Sequence, residues 1–274
     1  MKTVVILLFT VALLTVAYWP TFRWLVNSWL SNDHYSHGFL VPLVSGFFVW
    51  TKREYLQKKE PSLIGIFFLV AGVSLYILGF LWGIRIFGSF SLILILMAMV
   101  LLMFGIQTAL AMVFPLAFLI AMIPFPFVQD ITYYLQKISV ASSVWLLSAI
   151  GLPVTSSGPD IFLGNITFFI GPPCSGTNTL IALLALAAVY AYILKGRLYK
   201  RLCLFIIALP VAIVANILRV TTIILVAHYV NIHTATGWYH TLANTLFFIM
   251  AFLVLILASR VMKCSLNYKL IGIK

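Results

Sequence analysis

Cys174 is the residue of this sequence with the clearest capacity for covalent chemistry. It stands in GPPCSGTNTL, after two prolines and before a Ser-Gly pair, at the head of a long apolar run. The prolines stiffen the approach to the thiol, and a helix that begins here favours a thiolate over a thiol. Because Cys203 and Cys264 fall at the predicted cytoplasmic ends of later apolar segments, we expect Cys174 to have no disulfide partner.

A cation and a base fall at the predicted depth of this thiol. Arg219 lies in the apolar stretch PVAIVANILRVTTIILVAHYV, where an arginine without a partner costs at least about 2.5 kcal/mol. Counted from Arg201, at the predicted cytoplasmic boundary, a rise of about 1.5 Å per residue places Arg219 about 27 Å away, near the outer interface. His240 begins the last apolar segment on that same side. No acidic residue of the chain is an obvious partner for Arg219, so a thiolate or a substrate anion is a candidate.

These side chains are suited to acyl transfer through a thioester. His240 would exchange protons with the thiol of Cys174 and later with the leaving amine. Arg219 would stabilise the thiolate or the oxyanion of a tetrahedral intermediate. Three neighbouring polar residues are candidates for substrate binding: Ser175; Asn216, which shares a helix face with Arg219; and Asn244, which could also orient the ring of His240.

The sequence predicts neither a metal or other cofactor nor a nucleic-acid partner. All five histidines fall on the predicted outer side, but no two have i, i+4 ligand spacing, and no cysteine or carboxylate joins them. A net charge of +12 would suggest nucleic-acid binding in a soluble protein. Here the positive residues are concentrated in short loops between apolar segments, where they set the orientation of insertion.

The composition identifies the elements that hold these residues as membrane helices. The chain has 274 residues, of which 64% are hydrophobic and 8% are charged, and segments of about 20 apolar residues recur along it. We therefore predict an all-α polytopic membrane protein, one membrane-embedded domain over residues 1–274, whose first span is not a cleaved signal peptide. Eight spans are expected, near residues 3–19, 37–50, 62–82, 89–106, 108–123, 176–194, 202–226 and 241–259.

The distribution of lysine and arginine predicts the orientation. With the N-terminus in the cytoplasm, Lys2, the TKREYLQKKE and KGRLYKR loops and the RVMKCSLNYKLIGIK tail are inside, and they hold 13 of the 17 Lys and Arg residues. Both termini are therefore expected in the cytoplasm. The candidate site then faces the extracytoplasmic side of the cytoplasmic (inner) membrane. The remaining four cations fall outside or within the membrane: Arg23, Arg85, Lys137 and Arg219.

Two further elements are predicted before Cys174, between residues 128 and 170. In ITYYLQKISVASSVWLLSAIG, Thr132, Gln136, Ser139 and Ser143 form a polar stripe, and Ile131, Leu135, Ile138 and Trp145 lie on the other side. This spacing predicts an amphipathic helix on the outer surface, with a re-entrant dip as the alternative. In PDIFLGNITFFIGPP, two β-prone runs around Gly164-Asn165 predict a β-hairpin that ends at Cys174.

The sequence resembles the exosortase/archaeosortase family of polytopic membrane cysteine transpeptidases. The resemblance rests on PPCSGTNTL, NILRV and GWYH, in this order, within the last three predicted spans. YSHGFLVPLVSGFFVW and FPLAFLIAMIPFPF are similar to the family's N-terminal half, so the resemblance covers essentially the whole chain. It implies Cys174 as nucleophile, His240 as general acid and base, and Arg219 as stabiliser of thiolate or oxyanion. Family members often carry a glycine shortly after the histidine, where this chain has LAN.

The resemblance also implies the substrate. Its targets are exported proteins with a C-terminal sorting signal, made of a short motif (Pro-Glu-Pro in the best-known type), one transmembrane helix and a basic tail. The enzyme would cut this signal at the outer face of the membrane, among membrane lipids, and transfer the product to an acceptor. We further hypothesise that the hairpin at residues 160–170 pairs by its edge with the extended motif and presents it to Cys174.

Three other functions remain open at this point. An intramembrane serine protease would use Ser175 and His240, although Pro173 stands where a glycine is expected two residues before the serine. A carrier or flippase for a lipid-linked or anionic molecule would bind its substrate through Arg219. Such a carrier predicts charged or broken helices at the membrane midplane, whereas the polar residues here fall at the predicted outer edge. The third function is that of a membrane scaffold that catalyses no reaction.

Overall fold

Apolar helices dominate the chain, because backbone polar groups in lipid must be satisfied within their own segment. The computed structural model describes residues 10, 12–57 and 60–267. Four of its helices are long and apolar enough to cross a membrane, and these are Ile64–Trp82, Arg85–Phe104, Leu198–Tyr229 and Trp238–Val261. Ile106–Met122 and Thr177–Ile193 are shorter apolar helices. The chain is thus a helical multi-pass membrane protein. Eight spans and cytoplasmic termini remain predictions, and eight of the 17 residues of the first predicted span lie outside the described residues.

The chain divides into two compact units, Met1–Phe125 and Pro126–Lys274. The helices of unit 1 whose bounds lie within the described residues are α1 (Trp19–Ser31), α2 (Leu40–Thr51), α3 (Ile64–Trp82), α4 (Arg85–Phe104) and α5 (Ile106–Phe118). Short 3₁₀ turns cover Asp33–Phe39, Arg53–Gln57 and Leu119–Met122. The buried residues of α3 are Gly65, Gly72 and Gly79, and a Cβ at Gly72 would lie 2.7 Å from Cγ1 of Ile95. The glycines therefore allow α3 and α4 to pack closely, as small residues do between membrane helices.

Unit 2 contains the segments that carry the candidate residues. Its helices are α6 (Val128–Ala149), α7 (Thr177–Ile193), α8 (Leu198–Tyr229), α9 (Ile232–Thr236) and α10 (Trp238–Val261). Between α6 and α7 lie β1 (Val154–Ser157), β2 (Asp160–Leu163) and β3 (Ile166–Phe169), and a 3₁₀ turn at Pro172–Cys174. A two-stranded ladder pairs β4 (Leu194–Lys195) with β5 (Ser265–Leu266). Helix α8 packs against α6, α7, α9 and α10 and is the central element of the unit.

The strands before Cys174 form a small antiparallel sheet in the order β1-β2-β3. Leu163 pairs with Ile166 across the two-residue turn Gly164-Asn165, in which Gly164 has φ +59°. Strand β1, which the sequence analysis did not predict, pairs with β2 and ends at Ser157 opposite Asp160. One face of the sheet is buried, where Ile161 packs in a cluster with Val220 and Ile224 of α8. The sheet is therefore anchored on α8, and β3 is one of its two edge strands.

The polar stripe of α6 points into the protein, opposite to the orientation expected for a helix whose polar side faces water. Thr132, Ser139 and Ser143 are buried, whereas Ile138 is 43% and Trp145 is 70% exposed. The residues that share each face were predicted correctly, except that Leu135 is buried with the polar side. In a membrane the exposed side of a helix meets lipid, and polar groups are satisfied inside the protein. The stripe consequently faces the segment around Cys174.

We expect the exposed apolar face of α6 to contact lipid. In a chain whose three native cysteines are replaced by serine, a nitroxide at Trp145→Cys should collide preferentially with oxygen, which concentrates in lipid. A nitroxide at Thr155→Cys, on the face of β1 opposite to the buried one, is the water-facing control and should collide preferentially with a polar nickel reagent. Equal accessibility of both positions to the nickel reagent would show that α6 lies outside the lipid.

Candidate active site

Three separate segments of unit 2 bring Cys174, Arg219 and His240 together. Cys174 ends the turn between β3 and α7, Arg219 lies in α8, and His240 lies in the first turn of α10. Sγ of Cys174 is 3.5 Å from Nε2 of His240, and Nη2 of Arg219 donates to the backbone carbonyl of Cys174 at 3.2 Å. The three residues that the sequence analysis selected therefore form one cluster.

The turn that carries Cys174 is rigid for local reasons. The backbone N–H of Cys174 donates to the carbonyl of Gly171, and the N–H of Ser175 donates to that of Pro172. Pro172 and Pro173 restrict φ in between. Gly176 then adopts φ +94°, a left-handed conformation that L side chains rarely adopt. The chain thus makes a tight turn at the thiol before α7 begins at Thr177.

The thiol of Cys174 and the imidazole of His240 are both partly exposed and border a cavity of about 290 Å³. Its walls are mostly apolar and come from β3 and the following Ile170, from α8 and from α9. At 3.5 Å the sulfur and Nε2 are close enough to share a proton. Substrate atoms entering the cavity would meet a nucleophile and a base at the same end.

Arg219 is buried, with 4% of its surface exposed. Nη1 donates to Oδ1 of Asn244 at 2.6 Å, and Nη2 donates to the carbonyl of Cys174. Nε has no hydrogen-bond partner among the described residues. The partners of Arg219 are thus neutral oxygens, and no carboxylate compensates its charge within the described part of the chain. Asn244, expected near the ring of His240, holds the guanidinium instead.

A buried polar network supports the carbonyl of Cys174 from behind. Nδ2 of Asn216 donates to this carbonyl at 3.2 Å and to Oγ of Ser139 at 2.8 Å. Oγ of Ser139 donates to the carbonyl of Ser175 at 3.2 Å. The backbone around the thiol is therefore bonded to α6 and α8 at the same time.

The hydroxyl of Ser175 belongs to a second part of this network. It donates to the carbonyl of Pro172 at 2.7 Å and lies 2.9 Å from Oγ1 of Thr177. Oγ1 of Thr177 donates in turn to Oγ1 of Thr132. Ser175 and Asn216 are 1% and 2% exposed, so both lie behind the thiol, away from the cavity. This position favours support of the turn over substrate binding, and it leaves Ser175 unsuited to act as a nucleophile.

The α6 residues that hold the turn were not predicted to belong to the site, although their spacing forms a polar stripe in the sequence. Thr132 and Ser139 reach the network directly, and Gln136 donates to the carbonyl of Ile170. Their helical spacing showed that they share one face of α6, but it did not show that this face points toward the turn. Among the described residues, no group of three or more His, Cys, Asp or Glu side chains could hold a metal ion.

Gly176 packs closely against Asn216, so we expect a side chain at position 176 to destabilise the protein. A Cβ at Gly176 would lie 2.6 Å from Cγ of Asn216, whereas one at Gly151, with a similar φ of +89°, would meet nothing within 4 Å. Both alanine variants carry the backbone strain, so Gly176→Ala should be less stable than Gly151→Ala by about 1–3 kcal/mol. The apparent melting temperature of the purified protein measures this difference.

A double variant tests the cause of that loss. Replacing Asn216 by glycine removes the three nearest atoms that the new Cβ would meet, Cγ, Nδ2 and Cβ of Asn216. The combined destabilisation by Gly176→Ala and Asn216→Gly should therefore be smaller than the sum of their separate effects. Strictly additive losses would mean that Gly176 is required for its backbone conformation alone.

Comparison of the chain with known proteins gave a match to a family model. Neither the curated proteins nor the solved structures compared with the chain gave a match. The family model described as transmembrane exosortase (Exosortase_EpsH) matches residues 29–257, a range that contains Cys174, Arg219 and His240 and most of both units. Members of that family are membrane cysteine transpeptidases that act on exported proteins with C-terminal sorting signals. With more than half of its length matched, the chain belongs to the transmembrane exosortase family.

Proposed function

We propose that this exosortase cleaves the sorting signal of exported proteins with Cys174 as nucleophile and transfers the product to an acceptor through a thioester. The observation that carries the proposal is the distance of 3.5 Å between Sγ of Cys174 and Nε2 of His240. Cysteine nucleophiles are activated by such a neighbouring base. No other cysteine is a comparable candidate, because Cys203 and Cys264 fall at the opposite ends of α8 and α10.

The reaction follows from the geometry of this pair. Nε2 of His240 takes the proton of Cys174, and the thiolate attacks the scissile carbonyl carbon. When the tetrahedral intermediate collapses, His240 returns the proton to the leaving amine, the C–N bond breaks and a thioester remains. Water or an amine then attacks the thioester, His240 removes its proton, and the acyl group leaves the sulfur.

Arg219 acts on this reaction through its charge and through the backbone of Cys174. Both Nη atoms are bonded to neutral oxygens, so the positive charge remains to favour the thiolate next to it. The same bonds fix the carbonyl of Cys174. Asn216 and Ser175 support that backbone from behind, and Asn244 holds Arg219 in place. We therefore assign positioning roles to Asn216, Ser175 and Asn244.

We propose that the free edge of β3 binds the extended recognition motif and presents it to Cys174. In the antiparallel ladder, Ile166 and Phe168 turn their backbone groups toward β2, so Thr167 and Phe169 turn theirs toward the free edge. Among the described residues, this edge pairs with no other strand. Thr167, Phe169 and Cys174 line the same cavity. A peptide added along β3 would run toward the thiol.

The membrane side of the reaction is part of the proposal. We propose that the protein resides in the cytoplasmic membrane with Cys174 facing the extracytoplasmic side. The support is the bias of lysine and arginine, 13 of 17 of which fall in segments predicted to be cytoplasmic. A protein that has crossed the membrane would then present its sorting signal on the side where the thiol lies.

We expect each of the three proposed catalytic residues to be required for cleavage. The assay is a reporter with a C-terminal sorting signal from the same genome, read by gel shift and by the mass of the new C-terminus. Cys174→Ala should reduce cleavage about 10³-fold or more, and His240→Ala similarly, because the nucleophile or its base is lost. Arg219→Lys keeps the positive charge but loses the paired donors of the planar guanidinium group. It should therefore retain more activity than Arg219→Ala.

Controls separate this mechanism from its alternatives. Cys203→Ala is the matched cysteine control and should cleave like the unmodified chain. Ser175→Ala should keep cleavage within about tenfold, since only a supporting hydrogen bond is lost. Cleavage that survives Cys174→Ala and disappears in Ser175→Ala would identify a serine protease. Survival in both would remove the peptidase mechanism and favour a carrier.

Proline on the β3 edge tests the presentation of the motif. Proline is tolerated on an edge strand where the N–H faces outward, but it cannot donate to an added strand. Thr167→Pro should therefore reduce cleavage of the reporter while Cys174 still reacts with a small alkylating agent. Ser156→Pro makes the same change on the outer edge of β1 and should leave cleavage unchanged. If both variants cleave equally well, substrate does not pair with β3.

A further inference from the structure

Unit 1 contains a cavity of about 620 Å³ that the proposed reaction does not use. Its walls come from α1, from the C-terminal half of α3 and from the first turn of α4. Among the described residues, the charged side chains that line it are Arg23 of α1 and Arg85, the first residue of α4. Both arginines fall in segments that the charge distribution predicts to be outside the cytoplasm, where this chain has few cations. Orientation during insertion therefore does not explain them.

The two arginines leave their charge uncompensated. Both are exposed, and neither forms an ion pair with a carboxylate of the described residues. Trp19, Arg23 and Asn27 share one face of α1 because they are four residues apart, and all three line the cavity. Two cations and an amide therefore face the same space from two helices.

Close packing of α1 on α4 keeps the arginines at one cavity. A Cβ at Gly88 would lie 2.6 Å from Oγ1 of Thr21, so the absence of a side chain at Gly88 permits this approach. Thr21 lies two residues before Arg23, and Gly88 lies three residues after Arg85. The N-terminus of α4 adds the positive end of its dipole next to Arg85.

The remaining wall is mostly apolar, and its largest side chains are accessible. Trp19 is 62% and Phe80 is 81% exposed, and both line the cavity beside the cations. A ligand that satisfies both surfaces carries a compact anion and an apolar tail. Arginine matches phosphate oxygens with paired hydrogen bonds, and tryptophan is enriched at the membrane interface where lipid head groups lie.

We infer that this cavity binds the phosphate group of a membrane lipid. Arg23 and Arg85 donate to the phosphate oxygens, and the acyl chain lies along Trp19 and Phe80. The inference is independent of the peptidase mechanism, since its residues belong to unit 1 and its test measures binding alone.

Native mass spectrometry of the purified full-length protein tests the inference with three probes. Phosphatidylglycerol carries both a phosphate and acyl chains, diacylglycerol with the same chains lacks the phosphate, and inorganic phosphate lacks the chains. We expect retention of phosphatidylglycerol, and little retention of the other two. The Arg23→Gln and Arg85→Gln double variant should bind phosphatidylglycerol about tenfold less tightly or worse.

Arg53→Gln is the matched control, because it removes an exposed arginine of unit 1 that stacks on Trp50 away from this cavity. It should bind phosphatidylglycerol like the unmodified chain. If the glutamine variant does not fold, a double variant with Arg23→Lys and Arg85→Lys replaces it. This variant keeps the charge but loses the paired guanidinium donors, so it should still bind phosphatidylglycerol less tightly than the unmodified chain. Equal loss in Arg53→Gln, equal retention of diacylglycerol, or equally tight binding of inorganic phosphate would each overturn the inference.

Discussion

The buried charge of Arg219 is the constraint on which the structure of unit 2 depends. A guanidinium that is 4% exposed in an apolar helix is costly unless its donors are satisfied. Asn244 of α10 and the carbonyl of Cys174 satisfy two of them. One side chain of α8 therefore holds both the start of α10, where His240 lies, and the turn that carries the thiol. If either partner moved away, a buried cation would lose one of its hydrogen bonds.

The polar stripe of α6 meets the hydrogen-bonding needs of the turn that carries Cys174. The turn at Cys174 exposes backbone carbonyls toward the protein interior, and these need donors where water is scarce. Ser139 donates to the carbonyl of Ser175 and Gln136 donates to that of Ile170. Thr132 accepts a hydrogen bond from Thr177, next to the turn. Their apolar neighbours on α6 are left on the outside, which suits a helix in contact with lipid. The inverted amphipathicity of α6 is thus a requirement of the site that it supports.

The proposed nucleophile and base meet at a boundary between this polar network and an apolar cavity. On one side the backbone of Cys174 is bonded through Asn216 and Arg219, and on the other side its sulfur faces mostly apolar walls. Charges near such a cavity act in a lower dielectric than water, so the attraction between a thiolate and Arg219 is strengthened. Membership of the transmembrane exosortase family accords with a rigid thiol of this kind, because the family acts on proteins through a cysteine.

The sequence by itself determined the class of protein and the family, and it pointed to three residues that the structure brings together. Length, hydrophobicity and charge placement require membrane helices, and Cys174, Arg219 and His240 are unusual for the segments in which they stand. Only the tertiary structure showed which groups form hydrogen bonds with Arg219 and which way the stripe of α6 faces. It also showed that Ser175 and Asn216 lie behind the thiol. It also added β1 to the predicted hairpin. The physical reason is that helical periodicity specifies which residues share a face, whereas the direction of that face depends on neighbours distant in the chain.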